Sequence, residues 1–331
     1  MKIAFFEIHE EWEIEEIKQT FPDTQFFNEC IQDVSLDVLK QFEIVSVFIY
    51  SKLDRELLEQ LPNIQLISTR SMGMDHIEMK YCEEKGIKVV NVAHYGENTV
   101  AEFTFALLIT ISRKIIQSTN RVKSGGFEFS DLQGFDLAGK TIGLIGFGKI
   151  GQKFAKMCVG FEMNVLVSDV RSEEENMQEI GKRIGIEFVS FDEIISQSDI
   201  ISLHVPLLPQ THHIISANTL SQMKDGVIIL NSSRGDLIET HALFEALVRG
   251  KVSFVGLDVL ENECMIKDAE KIFSENKEVV CDLKTLMEDQ MIINHPNAFI
   301  TPHNAFNTID AVKKIIESTI RQIKEFVDGE N

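Results

Sequence analysis

The sequence predicts two doubly wound α/β domains built on parallel sheets, and three observations support this prediction. The chain has 331 residues, which is too long for one compact core and suits two domains. Short β-rich segments alternate with helical segments along most of its length, which is the pattern of parallel sheets. A glycine motif from Gly146 to Gly151 lies far enough along the chain to leave room for a complete domain before it.

The first third of the chain predicts one small α/β unit. A polar segment with helical periodicity, Asp54 to Gln60, lies between two of its strands. The predicted strands are Lys2 to Phe5, Ile44 to Ile49, Leu66 to Ser68 and Lys88 to Asn91.

The middle of the chain predicts a second, larger sheet. A long apolar helix from Thr99 to Lys114 and a loop rich in Gly and Phe precede it. Six strands then follow, as a doubly wound nucleotide-binding fold requires. They are Thr141 to Ile145, Asn164 to Ser168, Glu187 to Val189, Ile200 to Leu203, Val227 to Asn231 and Phe254 to Leu257. Residues 262 to 295 are acidic and predicted to be irregular, and Asp310 to Val327 has the apolar spacing of a helix that needs a packing surface.

Composition excludes several classes of partner. The formal net charge of −20 opposes binding to the phosphate backbone of nucleic acids. No apolar segment approaches the ~20 residues that cross a bilayer, and the early acidic residues Glu7, Glu10 and Glu11 do not fit a signal peptide. The five cysteines are scattered without a Cys-x-x-Cys pair, so we expect reduced thiols in a cytoplasmic protein.

The strongest local motif predicts a dinucleotide site. A strand runs into Gly146-x-Gly148-x-x-Gly151, and a helix is expected from about Gln152. The glycines permit a tight turn, close approach of backbone amides to a pyrophosphate, and close helix–strand packing. The helix N-terminus adds a partial positive charge that favours phosphates.

The same motif predicts NAD rather than NADP. Asp169 ends the next strand, 18 residues after Gly151, close to the ~20 expected for the carboxylate that binds the ribose 2′-hydroxyl. A carboxylate there repels a 2′-phosphate. Arg171 could blur this preference, but we expect it to be a solvated residue at a helix start.

Five further segments, in order along the chain, surround the glycine motif. They are Arg70 to Ile77, Thr99 to Phe103, Asn231 to Ile238, Gly256 to Glu263 and Ile300 to Phe306. With the glycine motif they make the sequence resemble the D-isomer-specific 2-hydroxyacid dehydrogenase family, in particular its D-lactate branch, over nearly the whole chain. The resemblance implies a discontinuous substrate-binding domain (residues 1–98 and 302–331), a Rossmann-like NAD-binding domain (99–301) and an active site in the cleft between them.

The family's catalytic trio matches Arg234, Glu263 and His303. Arginine suits the substrate carboxylate and carbonyl because its planar fork keeps its charge. Histidine exchanges protons near neutral pH, and a neighbouring carboxylate orients it and stabilises its protonated form. Taken singly, Arg234 could be a surface arginine, His303 a core histidine with His295 as its rival, and Glu263 part of an acidic run with Glu261.

Further roles follow from the resemblance alone. The amides of Met72 and Gly73 are expected to bind the substrate carboxylate, and Tyr50, Tyr95 and Phe306 to border the substrate side chain. The remaining cofactor contacts implied are Lys149 and Ile150 at the pyrophosphate, Val205, Pro206 and Thr211 along one wall, and Ser232, Ser233, Arg234 and Asp258 around the nicotinamide. The family often has Asn where Thr211 stands, which weakens that contact. We expect no metal site, because His212 and His213 are adjacent and adjacent side chains point apart.

The expected substrate pair is D-lactate and pyruvate, in a homodimeric enzyme. The alternatives are a D-2-hydroxyisocaproate-type dehydrogenase for larger 2-oxo acids, a non-enzymatic NAD-sensing scaffold, and a formate or phosphite oxidase on the same fold. A hydrophobic pocket discriminates only ~1–3 kcal/mol per methylene, so the side chain of the 2-oxo acid stays open.

Overall fold

The computed structural model describes residues 1–261, 263 and 283–329, and it divides the chain into two compact units. The first unit comprises Met1–Tyr95 and Asn307–Asn331, and the second comprises Gly96–Phe306. The sequence-based boundaries at 98/99 and 301/302 lie a few residues from these divisions. No helix among the described residues is long and apolar enough to cross a membrane.

The first unit is a five-stranded parallel sheet with helices around it. Its order, β2-β1-β3-β4-β5, is that of a doubly wound, flavodoxin-like sheet. The strands are β1 (Ile3–Phe5), β2 (Gln25–Phe26), β3 (Ile44–Val47), β4 (Leu66–Thr69) and β5 (Lys88–Asn91). The helices are α1 (Glu11–Thr20), α2 (Leu36–Leu39), α3 (Arg55–Glu59), α4 (Met79–Lys85) and, from the end of the chain, α13 (Ile309–Val327).

Helix α13 completes the core of the first unit. Thr308 caps its N-terminus by accepting a hydrogen bond from the Ala311 amide. Its apolar residues recur at helical spacing, and Ile316 and Ile323 are buried with Phe5 of β1 in one cluster. The predicted tail helix is therefore present, and the packing surface that it needs is the sheet formed by the start of the chain.

The second unit is a seven-stranded parallel sheet in the order β12-β11-β10-β9-β6-β7-β8. Its strands are β6 (Thr141–Ile145), β7 (Asn164–Ser168), β8 (Glu187–Phe188), β9 (Ile200–Leu203), β10 (Val227–Asn231), β11 (Val252–Leu257) and β12 (Ala298–Ile300). Its described helices are α5 (Glu97–Arg113), α6 (Ile115–Lys123), α7 (Lys149–Gly160), α8 (Glu175–Ile184), α9 (Phe191–Gln197), α10 (Ala217–Gln222), α11 (Thr240–Val248) and α12 (Leu283–Ile293). The predicted fold class is confirmed for both units.

The strand order of the second unit locates its ligand edge. The chain passes from β8 at one side of the sheet back to β9, which pairs with β6. The sheet therefore reverses its winding between β6 and β9. In open α/β sheets ligands bind at the carboxyl ends of the strands at such a reversal. The loops that follow β6 and β9 begin at Gly146 and His204.

Three details differ from the sequence prediction. Strands β2 and β12, of two and three residues, were not predicted. Helix α12 occupies part of the segment predicted to be irregular, and it buries Leu286 and Ile292. Helix α7 begins at Lys149 rather than near Gln152.

Candidate active site

The loop between β6 and α7 has the geometry of a phosphate-binding turn. Gly146 has φ +99°, which a side chain would strain, and a Cβ there would lie 2.6 Å from the His204 carbonyl oxygen. A Cβ on Gly151 would lie 2.6 Å from the Gly146 carbonyl oxygen. A Cβ on Gly148, the N-cap of α7, would meet no other described atom within 4 Å. The loop therefore packs tightly on the sheet and is open at the helix N-terminus, where phosphate groups bind.

Asp169 lies at the end of β7, next to this loop. Its carboxylate accepts hydrogen bonds from the amides of Phe147 at 2.6 Å and Arg171 at 2.8 Å. The Arg171 guanidinium pairs with it at 3.2 Å. Burial alone would raise the pKa of Asp169, but these hydrogen bonds outweigh burial and lower it. Arg171 is thus paired with Asp169 rather than solely solvated as expected, and it precedes α8 instead of starting it.

Arg234 lies in the turn after β10. Its Nη1 donates to the Ser233 carbonyl at 2.7 Å, and the Asn231 side-chain amide donates to the Arg234 carbonyl at 2.7 Å. A Cβ on Gly235 would lie 2.0 Å from the Leu260 carbonyl. The absence of a side chain at Gly235 therefore allows the Arg234 turn to pack on the segment that leads to Glu263.

Glu263 and His303 form a direct pair. Glu263 Oε1 lies 2.6 Å from His303 Nδ1, although the two residues are 40 positions apart in sequence. Both side chains are mostly buried, with 27% and 16% of their surfaces exposed. Since Glu263 engages Nδ1, Nε2 is the ring nitrogen at which His303 is able to exchange a proton with another molecule.

A buried carboxylate holds the turn that presents His303. Both oxygens of Asp258 accept hydrogen bonds from this turn: Oδ1 from the Thr301 hydroxyl at 2.6 Å and the Asn304 amide at 3.0 Å, and Oδ2 from the Ala305 amide at 2.8 Å. Burial raises the pKa of Asp258, while these bonds oppose the rise. His303 has φ +50°, an uncommon conformation that surrounding hydrogen bonds must maintain. The position of Asp258 explains how the turn keeps this conformation.

Several residues predicted to contact the cofactor lie in the turns after β9 and β10. The Thr211 hydroxyl donates to the Pro206 carbonyl at 2.7 Å and accepts from the Leu208 amide at 2.8 Å, so it closes the loop that begins at Val205. The Ser233 hydroxyl donates to the Leu203 carbonyl at 2.9 Å and links these two turns.

Other predicted cofactor residues contact helices or lie on them. Ser232 forms a 2.6 Å hydroxyl contact with Thr104 of α5. Lys149, at the first position of α7, is exposed and forms an ion pair with Glu97 at 3.5 Å. Ile150 follows it on the same helix and packs against the apolar core.

In the first unit, the loop after β4 holds Met72 and Gly73. The Asn91 side chain donates to the Met72 carbonyl at 2.7 Å, and the Ser71 hydroxyl donates to the Gly73 carbonyl at 2.6 Å. The C=O and N–H of a trans peptide point in opposite directions. The Gly73 amide therefore points away from Asn91.

Tyr50 is positioned by a residue that the sequence did not identify. The buried Glu7 side chain accepts hydrogen bonds from the amides of Phe48 and Tyr50, each at 2.9 Å, and of Ser51 at 3.2 Å. No site role was predicted for Glu7, and the available signal was a carboxylate two positions after the buried strand β1. The other two residues predicted to border the substrate differ in exposure: Tyr95 is buried and Phe306 is half-buried.

The expectation that His212 and His213 point apart is wrong. Their ring centroids lie 3.9 Å apart with an interplanar angle of 31°. His213 has φ +50°, and this left-handed residue departs from the extended backbone on which the expectation rested. His213 Nε2 also lies 2.7 Å from Glu261 Oε1. The half-buried His204 is not part of this group, and desolvation of its ring lowers its pKa to about 3.

Glu261 faces a fully buried carboxyl group on α12. Asp289 has no exposed surface, and its Oδ2 has no hydrogen-bond partner among the described residues. Burial and the nearby charge of Glu261 raise the pKa of Asp289 to about 7, with smaller contributions from Glu288 and Asp236.

Asp289→Asn is expected to stabilise the protein near pH 8 but not near pH 4. The unfolded carboxyl ionises near pH 4, whereas the folded one stays protonated up to about pH 7. The free energy of unfolding of the wild type therefore falls as pH rises from about 4 to about 7, and it is lowest above pH 7. The total decrease is at most on the order of 4 kcal/mol. Urea unfolding at several pH values measures the difference. An equal effect of the substitution at both ends of the range would rule out ionisation as its cause.

Known proteins similar to this chain were identified by sequence and by structure. The model of the D-isomer specific 2-hydroxyacid dehydrogenase NAD binding domain matches residues 105–305. 2-Hydroxyacid dehydrogenase homolog 1 of Schizosaccharomyces pombe is 34% identical, with 100% of this chain and 98% of that protein covered. The aromatic 2-oxoacid reductase of Clostridium sporogenes is 35% identical, with 87% and 83% covered. The solved D-lactate dehydrogenase of Aquifex aeolicus, complexed with NAD and lactic acid, has a TM-score of 0.88 and 35% identity, with 99% and 96% covered.

Proposed function

Since this chain belongs to the D-isomer specific 2-hydroxyacid dehydrogenase family, we propose that it interconverts D-lactate and pyruvate. The observation that carries the proposal is the 2.6 Å Glu263–His303 pair, in the same unit as the Arg234 turn. A family member that only senses NAD would not need a cation, an acid/base and an orienting carboxylate together. The similarity to a D-lactate dehydrogenase over 99% of the chain supports the choice of substrate.

NAD is the cofactor, as predicted, and the second unit contains the NAD-binding domain. The open space beside Gly148 at the N-terminus of α7 fits the pyrophosphate. Asp169 would accept a hydrogen bond from the ribose 2′-hydroxyl. When bound, NAD supplies the hydride acceptor or donor of the reaction.

We assign the roles of the trio as follows. Arg234 binds the carboxylate and carbonyl of the 2-oxo acid with its planar fork. His303 Nε2 gives a proton to the carbonyl oxygen during reduction and removes it during oxidation. Glu263 orients the ring through Nδ1 and stabilises the imidazolium. Asp258 is a positioning residue, because its carboxylate engages the turn around His303.

The other predicted ligand contacts stay predictions, and several have structural support. The held carbonyls of Met72 and Gly73 fix the orientation of the peptide between them, as binding of a carboxylate by amides requires. Glu7 similarly fixes the backbone at Tyr50. Tyr95 and Phe306 supply aromatic surface, which would favour a small or apolar substrate side chain.

A panel of 2-oxo acids assayed with NADH tests the proposed substrate. We expect the highest kcat/KM for pyruvate and lower values as the side chain grows. Larger 2-oxo acids, including the hydroxyisocaproate type, are the second candidate. The chain is 35% identical both to an aromatic 2-oxoacid reductase and to the solved D-lactate dehydrogenase. A preference for phenylpyruvate or 4-methyl-2-oxopentanoate would establish that alternative. Turnover with formate or phosphite, or no turnover at all, would overturn both.

Replacement of Asp169 by Ala is expected to narrow the preference for NADH over NADPH by about tenfold or more, chiefly because NADH binds more weakly. The carboxylate would repel a 2′-phosphate even beside Arg171, because its hydrogen bonds keep it ionised. The ratio of kcat/KM for the two cofactors measures the effect. Arg171→Ala is the matched variant and should widen the preference for NADH. Equal use of both cofactors by the wild-type protein would contradict the assignment.

We further propose a cytoplasmic homodimer. Support for a subunit interface comes from apolar side chains exposed on α6 and in the loop after it. These are Ile115, Ile116, Val122, Phe127 and Phe129. Phe127 and Phe129 each have more than 80% of their surface exposed, as interface residues of an isolated subunit would. The free thiols of the buried cysteines Cys82 and Cys158 suit a reducing compartment. Sedimentation velocity should give twice the chain mass for the wild type and a smaller mass for Phe127→Ser/Phe129→Ser.

A further inference from the structure

Three potential metal ligands outside the proposed trio meet in the second unit. His212, His213 and Glu261 each place a ligand atom within 4.8 Å of the other two. Glu261 Oε1 lies 2.7 Å from His213 Nε2, and the imidazole of His212 stacks beside that of His213. The left-handed conformation of His213 brings two consecutive imidazoles to one side of the backbone.

The backbone around this cluster is held by hydrogen bonds. The His212 amide donates to the Leu208 carbonyl at 2.9 Å, and the His213 amide donates to the Asp236 carbonyl at 2.9 Å. The second carboxylate oxygen of Glu261 accepts from the Thr240 amide at 3.1 Å, which leaves Oε1 directed at His213. Such outer contacts orient the ligands of metal sites.

Two imidazoles and one carboxylate are a ligand set that suits divalent transition metals, Zn²⁺ in particular. Bonds of about 2.0–2.1 Å in a tetrahedral arrangement separate neighbouring ligand atoms by about 3.3 Å. The three ligand atoms lie within 4.8 Å of one another, and the His213–Glu261 pair lies at 2.7 Å, so shifts of at most about 1.5 Å would give this separation. A three-ligand site would leave one position for water.

The surrounding charge favours a cation. The carboxylates of Glu261, Glu288 and Asp236 all lie near the buried Asp289, and the chain has a formal net charge of −20. Clustered negative charge in a partly buried place raises the local concentration of cations. His212 is exposed, whereas only 30% of the His213 side chain and 17% of the Glu261 side chain are exposed, so an ion can enter from the His212 side.

We propose that His212, His213 and Glu261 bind one divalent transition-metal ion of the zinc class. The site would connect the segment after β9 to the segment after β11. Glu261 precedes Glu263 by two residues, so a bound ion would restrain the segment that carries the partner of His303. The proposal does not depend on the proposed substrate, since none of its ligands belongs to the trio.

The simpler alternative is a hydrogen bond between His213 and Glu261 that only holds the loop. That bond does not involve His212, whereas a metal site needs it. His212→Ala therefore separates the two explanations. Because His212 is exposed, we expect the variant to fold like the wild type. His213→Gln is the second variant, because glutamine can keep a hydrogen bond to Glu261 but is a poor zinc ligand.

The test is titration of the chelator-treated, full-length protein with Co²⁺ alone, followed by visible absorption, and with Zn²⁺ alone against a chromophoric chelator. We expect one equivalent of Co²⁺ with the intense visible bands of four-coordinate cobalt. Both variants should bind at least about a hundredfold more weakly, since even loss of an outer contact costs 10–100-fold. His241→Ala is the matched control, because His241 also pairs with a carboxylate, Glu288, at 2.8 Å. It should bind like the wild type.

Zn²⁺ should also raise the thermal midpoint of the wild type and His241→Ala but not that of His212→Ala. The proposal is overturned if the wild type binds neither ion specifically, or if His212→Ala and His213→Gln bind as tightly as the wild type. A cobalt–thiolate charge-transfer band in the near ultraviolet would likewise overturn it by placing the ion on cysteines.

Discussion

Replacement of Arg234 by Lys is expected to lower kcat/KM for reduction of the 2-oxo acid by roughly a hundredfold or more. Lysine keeps the charge but loses the planar fork, so two parallel hydrogen bonds to the substrate become at best one. The affinity for NADH should change little, because the glycine loop and Asp169 are untouched. Steady-state kinetics gives the first quantity, and quenching of protein fluorescence by NADH gives the second.

Arg249→Lys is the matched control for this substitution. Arg249 follows α11 and pairs with Glu245 at 3.0 Å on an exposed surface, so the same chemical change occurs there away from the trio. Its kinetics should match the wild type. Near-normal turnover of Arg234→Lys would remove Arg234 from the substrate site, even though its turn packs on the segment that leads to Glu263.

Glu263→Gln is expected to lower kcat for reduction of the 2-oxo acid by about tenfold to a hundredfold. Glu263 Oε1 lies 2.6 Å from His303 Nδ1, so its charge orients and stabilises the ring that is proposed to give the proton. Glutamine keeps a hydrogen-bonding group of the same shape but loses the charge. The KM for NADH should change little, because the glycine loop and Asp169 are untouched. Steady-state kinetics measures both quantities.

Glu288→Gln is the matched control, because Glu288 forms the same kind of pair with His241 at 2.8 Å. Its kcat and its KM for NADH should match those of the wild type. A variant that is merely misfolded would lose affinity for NADH together with turnover, whereas Glu263→Gln should lose turnover alone. A wild-type kcat in Glu263→Gln would show that Glu263 does not assist His303.

The fold was predictable where a local pattern determines it. Buried strands such as β6 and β10 are apolar along their whole length, and the glycine motif needs a strand before it and a helix after it. Strand β12 has three residues, and whether such a segment pairs depends on the neighbouring β11. Helix α12 follows an acidic segment, and its burial depends on α11, which lies far away in sequence.

The candidate site was predictable to the extent that its residues lie in recognisable motifs. The pair of Glu263 and His303 was expected from such motifs, and the structure places the two in contact. Contacts that depend on distant backbone were not predictable. Glu7 accepts hydrogen bonds from residues more than 40 positions away, and Gly235 packs on Leu260. The stacking of His212 on His213 was mispredicted because one left-handed residue changes the direction of a side chain, and the sequence gives no sign of it.

The position of α13 determines the order in which the chain can fold during synthesis. The Gln322 side chain donates to the Asn91 carbonyl across 231 positions, and Ile316 and Ile323 bury surface that β1 would otherwise expose. The five strands of the first unit are synthesised before the whole second unit and α13 only after it, whereas the second unit is contiguous and can fold as it emerges from the ribosome. The sheet of the first unit therefore lacks its covering helix while the second unit is synthesised. During that interval the apolar residues of β1 that α13 would bury are the surface of the nascent chain that needs protection.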